Sequence, residues 1–405
     1  MTHSSEAVDA GLVGRLAERF GSVAERAAEA DLTGLVPQES WKEIVESGYL
    51  RVFHPEEIGG LGANGPTQAA AMETLARACA GTYWSATMST LLCGKLISTH
   101  GDVVEHRELL DGLLGGERLG AFAVVERTSG SDAGTYRTTV TPRDGGYVIN
   151  GEKSRITNAP TADVAVVLAR LAAEDGSERP PGWCLAFVDL HQPGVGRYDM
   201  PHMGLRAMPW GGITFEDVPI RAQDVVPVPY SVFGEGMAWG WLFISIAAIA
   251  TAERALRASA EHATSHIAFG HPLGHMDGVH TLLATSRAEI DAARLLARRA
   301  AWHRAEGRSA RDLIAVLKIQ ATELAVRVTQ HAVQIHGAGA LMPGHPVERY
   351  VRDAPMNVIG GFTTNRLREL VADGMGLDGS YYPPFDWLAP AGFASDPALP
   401  ATTTE

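Results

Sequence analysis

The chain has 405 residues, which at ~150 residues per domain predicts two or three domains. With 45% hydrophobic and 20% charged residues it is not a disordered, collagen-like or fibrous chain, and a formal net charge of −13 argues against nucleic acid or an anionic membrane as partner. Three cysteines, Cys79, Cys93 and Cys184, are too scattered for a disulfide framework or a Cys-x-x-Cys metal site, so a reducing, cytoplasmic setting is expected.

In chain order, residues 1–9 are polar and lack a basic start leading into an apolar run, so no secretory signal is expected. Leu12, Leu16, Phe20, Val23 and Ala27 recur at helical spacing and predict an amphipathic helix over 7–30. Pro37 with Trp41, Ile44 and Val45 predicts a second helix ending near Gly48. A Gly-rich loop follows over Phe53–Gly62, and 66–119 reads as further helices. Near 120 the pattern changes to short apolar runs at 121–125, 138–141, 146–149, 164–168, 183–189 and 212–215. Gly, Pro, Asn and Asp separate them, without the helices of a βαβ unit, which predicts a compact β domain. Trp239–Ala250 reads as a buried core helix, short of the ~20 residues that span a bilayer. Residues 254–266, 279–304, 311–334 and 365–374 have helical period and length. The Pro-rich stretch from Tyr381 reads as an irregular tail. The expected fold class is mainly α with a central β domain, divided into a helical domain (1–120), a β domain (121–230), a helical bundle (231–380) and the tail (381–405). A cleft where the helical blocks meet the sheet suits a cofactor.

Several motifs bear on chemistry. In Val125–Gly134, Gly130 and Gly134 let backbone approach a ligand, and Ser131 with nearby N–H groups can bind phosphate or ring oxygens. Ile149–Ala159 is a turn, a strand and a polar segment, and His202–Arg206, Ile213–Pro219, Ala268–Leu273, Gln334–Gly339 and Glu348–Ala354 follow. His262 and His266 share a helix face at metal-pair spacing, but no Glu follows His262 and no third ligand is evident, so no metal is expected. His336 reads as structural, and Arg349, Arg352 and Asp353 as an ion-pair network.

In this order and spacing, the motifs resemble the acyl-CoA dehydrogenase superfamily from about residue 8 to 375. The family's Pro-Glu-Glu-x-Gly-Gly-x-Gly loop corresponds to Pro55–Gly62, and Thr-Glu-Pro-x-x-Gly-Ser-Asp to Val125–Asp132. Lys-x-Trp-Ile-Thr-Asn corresponds to Lys153–Asn158, Arg-x-x-Phe-Gly to His266–Gly270, Gln-x-x-Gly-Gly to Gln334–Ala338 and Arg-Asp-Ala to Arg352–Ala354. The resemblance implies a non-covalent FAD, a middle β-barrel-like domain between an N-terminal helical domain and a C-terminal four-helix bundle, and a homotetramer or homodimer with FAD at a subunit interface. It assigns Phe122, Val124, Val125, Gly130 and Ser131 to the flavin and its phosphates, and Ile156 and Thr157 to the flavin edge. It assigns Phe269, Gln334, Gly337 and Ala338 to cofactor contacts, the last three from a neighbouring subunit, and Thr363 and Asn365 to the ADP end. Val125, Arg155 and His266 depart from the family's Thr, Trp and Arg. His266 weakens a phosphate contact, since His lacks the fixed fork of Arg and its charge depends on pH. Arg155 either tunes the flavin by its charge or reaches solvent.

The same resemblance locates a departure at the reaction centre. The family's general base is a Glu nine residues after the Arg of Arg-Asp-Ala, and here that position is Gly361 in Ile359–Thr363. The alternative Glu, on the helix leading to Phe-Gly, falls on Gly240, followed by Trp241. Three readings follow: a non-catalytic FAD-binding subunit, a dehydrogenase of acyl-CoA or an acyl carrier protein whose base has moved to Glu235 or a His, or an enzyme whose chemistry needs no base. Loss of CO2 from a β-keto acid makes an enolate without a base, and the Gly361 N–H can hold its oxygen. Hydride transfer to FAD and oxygenation with O2 then resemble the flavoenzymes that form epoxyketone warheads in natural-product biosynthesis. Gly240, Trp241, Gly360 and Phe362 are the expected substrate pocket, reshaped around a small-molecule or peptidyl acyl group.

Overall fold

The computed structural model describes residues 7–132, 135–172, 182–229, 231–308 and 310–377; Gly134 and the tail from 381 lie outside the described residues. The chain begins with α1 (Ala10–Glu25), whose N-terminus is capped by the Asp9 carboxylate accepting from the Leu12 N–H at 2.9 Å. Leu12, Leu16, Phe20 and Val23 face the core, as their spacing predicts. The single helix expected over 7–30 is two, because Arg26 ends α1 and α2 (Ala27–Thr33) stops at Gly34 in the left-handed conformation. After α3 (Gln38–Glu46) come α4 (Gly65–Ala78), α5 (Ala80–Thr87), a π-helical stretch over Met88–Gly94, α6 (Lys95–His100) and α7 (Arg107–Gly115).

The β domain holds β1 (Gly120–Ala123), β2 (Thr139–Arg143), β3 (Gly146–Thr157), β4 (Val164–Leu171), β5 (Gly182–Asp189), β6 (Val195–Asp199), β7 (Trp210–Ile220) and β8 (Val225–Val228). They form one sheet in the order β6-β7-β3-β2-β4-β5-β8, and β1 and β2 both run parallel to β4, at different points along it. The strands β6 and β8 are additions to the sequence reading. Both lie at sheet ends, β6 with little apolar alternation and β8 with Pro227, a residue that edge strands tolerate.

The C-terminal part comprises α8 (Ser231–Ser265), a small hairpin at 267–272, α9 (Asp277–Ala305), α10 (Arg311–His336), α11 (Pro346–Ile359) and α12 (Thr364–Gly374). Helices α8 to α11 pack on one another, and α8 also packs on α4 and α5, so both helical parts share one core. By length and composition Val232–Ser265 could cross a membrane, but its apolar stretch is buried inside the protein as the core helix. The region read as Trp239–Ala250 and 254–266 is thus one helix, its amphipathic period erased by all-round burial. The three cysteines are free and buried. The network expected among Arg349, Arg352 and Asp353 is different. Arg352 pairs with Asp31 at 2.6 Å and with Glu348, while Asp353 accepts the Leu205 N–H, tying α11 to α2 and to the β6–β7 connection.

Candidate active site

A cavity of about 360 Å³ opens where the sheet meets α5, α8 and the turn after α11. Phe122, Val124, Val125, Gly130, Ser131, Arg155, Ile156 and Thr157, the residues assigned to the flavin side, all line it. So do Gly240, Gly360, Gly361 and Phe362. The sequence reading missed much of the remaining wall: Trp84, Met88 and Leu92 from α5 and the π-helical stretch, Trp210 from β7, and Phe233, Met237, Phe243 and Ile244 from α8.

Two devices hold the sheet side. Lys153, fully buried on β3, donates to the Val124 carbonyl at 2.8 Å and to Glu126 at 3.0 Å. Glu126 also accepts from the Arg137 and Thr138 N–H groups and the Thr138 hydroxyl. Burial raises the Glu126 carboxyl, but Lys153 and these donors outweigh it and hold it below its usual value. Burial pushes the Lys153 ammonium down to about 8, with Glu126 opposing. The second device is a β-bulge between Ser154 and Ile156, where Arg155 takes φ +60°. The bulge lets the Arg155 guanidinium donate to the Glu126 carbonyl at 3.1 Å and the Arg127 carbonyl at 3.3 Å. Arg155 is exposed and also lines the cavity. Asn158 closes the strand by donating to the Ser85 and Gly120 carbonyls at 3.0 and 2.9 Å, which joins α5 to β1.

The opposite side is the turn after α11. Gly361 and Phe362 take φ +56° and +75°, and Thr363 caps α12. Lys318 of α10, fully buried, donates to the Val358 carbonyl at 3.1 Å and the Phe362 carbonyl at 2.6 Å, bracketing the turn from behind. Burial pushes its amine down to about 7, with Glu323 opposing. Trp241 does not line the cavity as expected. It is fully buried behind the turn, where its Nε1–H donates to the Gly361 carbonyl. A Cβ on Gly361 would sit 3.0 Å from Ile244 Cδ1 and 3.2 Å from Met237 Cε and Trp241 Cδ1, whereas one on Gly240 would meet nothing within 4 Å.

Among the described residues lining the cavity, Arg155 alone carries a formal charge. Glu235, the candidate relocated base, is not among them. It is hydrogen-bonded to His100 at 3.3 Å, and that bond, against the effect of burial, keeps its carboxyl below the usual value.

His266, Phe269, Gln334, Gly337 and Ala338 are exposed and lie away from the cavity. Gln334 follows Lys318 by 16 residues on α10, roughly 24 Å of helix, so it cannot reach this cavity from the same chain. Thr363, the cap of α12, and Asn365 in its first turn lie just beyond the turn, exposed and outside the lining. His262 stacks on His266 and His336 at 4.7 and 4.3 Å, and His345 meets His336 edge-on at 5.0 Å. Among the described residues no group of three or more His, Cys, Asp or Glu side chains is placed to hold a metal ion. Burial, then His262 and His345, push His336 down to about 4.

The FAD implied by the resemblance fits the donor set and the shape. Phe122, Ile156 and Trp210 offer apolar surface to a flat ring, and Gly130 has no atom within 4 Å of a would-be Cβ, leaving the loop backbone open to a phosphate.

Comparison with known proteins bears on the whole chain. The N-terminal domain of acyl-CoA dehydrogenase matches residues 13–117, its middle domain 121–218 and its C-terminal domain 230–376. A probable acyl-CoA dehydrogenase of Bacillus subtilis is 32% identical over 356 residues, 86% of this chain and 93% of that protein. Benzylmalonyl-CoA dehydrogenase of Aromatoleum aromaticum is 31% identical over 357 residues, again 86% and 93%. The solved butyryl-CoA dehydrogenase of Megasphaera elsdenii superposes with a TM-score of 0.84 at 26% identity, covering 90% of this chain and 97% of that one.

Proposed function

The chain belongs to the acyl-CoA dehydrogenase family and is a FAD-dependent oxidoreductase, and from that premise we propose that it converts a β-keto acid to an epoxyketone by decarboxylation, dehydrogenation and mono-oxygenation, in natural-product biosynthesis. The observation that carries this reading is a cavity whose described lining holds no carboxylate, with glycine at 240 and 361. Dehydrogenating an ordinary acyl thioester requires a base within reach of the α-proton. Loss of CO2 leaves the electron pair on the α-carbon with no proton to remove. The Gly361 N–H is the donor for the enolate oxygen, and Lys318 fixes the turn that presents it. Bound FAD supplies a hydride acceptor and a route to O2. Overall, one O2 is consumed and CO2 and one water are released, so no external reductant is needed. The apolar wall of Phe233, Phe243 and Ile244 excludes water, and the Lys153–Glu126 pair with Arg155 holds the loop over the cofactor. His266, Phe269, Gln334, Gly337 and Ala338 serve the FAD of a second copy in a homotetramer or homodimer. The buried, free thiols suit a reducing, cytoplasmic compartment.

The names of the relatives favour a second reading, dehydrogenation of an acyl-CoA or acyl carrier protein substrate. Product mass and oxygen uptake separate the two. The proposal expects an α-methyl β-keto acid to lose CO2 and two hydrogens and to gain one oxygen in air. Anaerobic turnover of an acyl-CoA with an electron acceptor, together with inertness toward β-keto acids, overturns it.

A further inference from the structure

Gly240 lies within α8, is buried, and lines the cavity. Its φ is not positive, so its backbone does not call for glycine, and glycine is the poorest helix former after proline. At other buried helical glycines the packing supplies a reason. A Cβ would come within 2.2 Å of the Ala301 carbonyl oxygen at Gly65, 2.8 Å of the Ala207 Cβ at Gly81 and 3.2 Å of the Phe122 ring at Gly236. At Gly240 it would meet nothing within 4 Å, although the residue is buried. Interiors are close-packed and an empty apolar space forfeits contacts along its walls, so open volume at this point of a cavity is room for an occupant. Met237 and Ile244, three residues before and four after, share the helix face of Gly240. Both also reach the turn after α11, since a Cβ on Gly361 would lie 3.2 Å from Met237 Cε and 3.0 Å from Ile244 Cδ1. The open space therefore adjoins the turn that carries the Gly361 N–H.

We infer that Gly240 is a specificity-determining residue whose missing side chain opens a side pocket for an alkyl branch on a carbon flanking the substrate's carbonyl. The helix face around it, Met237, Phe243 and Ile244, offers no side-chain hydrogen-bond partner, so a polar substituent there would be buried unpaired, while an alkyl group needs no partner. Arg155, the one charged side chain of the described lining, belongs to β3. A straight acyl chain leaves the pocket empty, and each methyl group that fills it is worth about fourfold in affinity. The inference rests on the reading that the substrate's acyl end enters this cavity, and it narrows that substrate to chains branched beside the carbonyl.

The test is a cycle between residue and ligand on the FAD-loaded protein, read as the shift in flavin absorbance on binding. The probes are isopropyl pentyl ketone and ethyl hexyl ketone, isomers that differ in a branch beside the carbonyl. The unaltered protein is expected to prefer the branched isomer by about two- to fourfold. Gly240→Val fills the pocket, so its affinity for the branched ketone is expected to fall about four- to tenfold and for the straight one by less than about twofold. Gly240→Ala, which adds one methyl group, is expected to lose part of the preference while holding or raising its urea midpoint, because the methyl enters open space and the helix loses a glycine. A lowered midpoint for Gly240→Ala shows the space to be closed, and loss of FAD from Gly240→Val shows it to belong to the flavin; either overturns the assignment. Equal affinity of the unaltered protein for the two isomers, or equal losses in Gly240→Val, overturns the inference alone. No binding of either ketone overturns the placement of the acyl end and the inference with it. Because the readout is binding, the result stands whether or not the protein proves to decarboxylate or oxygenate a β-keto acid.

Discussion

Gly361→Glu returns a carboxylate to the cavity and asks whether this glycine is a vacated base position or part of a rebuilt wall. At φ +56°, any residue with a side chain pays about 1–2 kcal/mol in backbone strain. Its Cβ also meets Ile244 at 3.0 Å and Met237 and Trp241 at 3.2 Å. Ile244 and Met237 present side-chain ends that can shift, but Trp241 is held by its bond to the Gly361 carbonyl, and overpacking of this kind costs about 1–3 kcal/mol. The variant is therefore expected to lose about 2–5 kcal/mol, seen as a lower urea midpoint by far-UV circular dichroism and flavin fluorescence. Trp241→Ala alone is expected to cost about 3–5 kcal/mol through the cavity it leaves. In the double variant the new carboxylate occupies that space, so the combined loss falls short of the sum by about 0.5–3 kcal/mol. With Trp241 in place, Gly361→Glu should not reduce its flavin with an acyl-CoA. A Gly361→Glu protein as stable as the parent, or strict additivity in the double variant, would refute this account of the turn.

Three further outcomes follow from the buried charges. The Lys318 amine sits near 7 against an ordinary 10.5, so between those values the unfolded chain holds a proton that the fold does not, and this group makes stability rise with pH across that window. Lys318→Met removes the rise, which reaches at most about 1.4 kcal/mol per pH unit, and identical urea midpoint slopes from pH 7 to 9.5 in both proteins would count against it. Glu126→Gln strands the Lys153 ammonium and is expected to cost about 3–5 kcal/mol and to loosen FAD, measured as cofactor lost on desalting; unchanged retention would show that the pair does not hold the loop. The His336 ring sits near 4 against an ordinary 6.5, so its contribution to stability is lost as pH falls from 6.5 toward 4, and His336→Asn should flatten the acid limb of the midpoint curve.

The parts legible in the sequence are those where one face is buried and the other wet. The stripe Leu12, Leu16, Phe20, Val23 and the short apolar strands are of this kind. Helix α11 was not predicted, because Pro355 and the charged Arg352-Asp353 pair interrupt its pattern, although the helix carries both. The α8 wall was readable in principle, since Phe233, Met237, Gly240 and Ile244 are spaced four, three and four apart. Met88 and Leu92 were not, because a π-helical stretch presents them and shifts the period. Nothing in the sequence separates Lys153, Glu126 and Lys318 from surface charges. Their burial appears only when the chain closes, 27 residues apart in the first pair and 44 between Lys318 and Phe362.

Gly240 and Gly361 bear on each other through Trp241. Successive residues on a helix point about 100° apart, so the residue after Gly240 faces away from the cavity and reaches the back of the turn. There the indole fills space that a Gly361 side chain would take and bonds the Gly361 carbonyl, while Lys318 bonds the carbonyls on either side of it. These three hydrogen bonds, one from the indole and two from the lysine, hold the turn that carries the Gly361 N–H. Simple decay of an acid site gives no reason to keep a buried lysine and a buried indole converging on one backbone turn. Under the proposed decarboxylation, an N–H held in this apolar wall would act on charge developing in the substrate with little competition from water, and no proton would remain for the protein to remove.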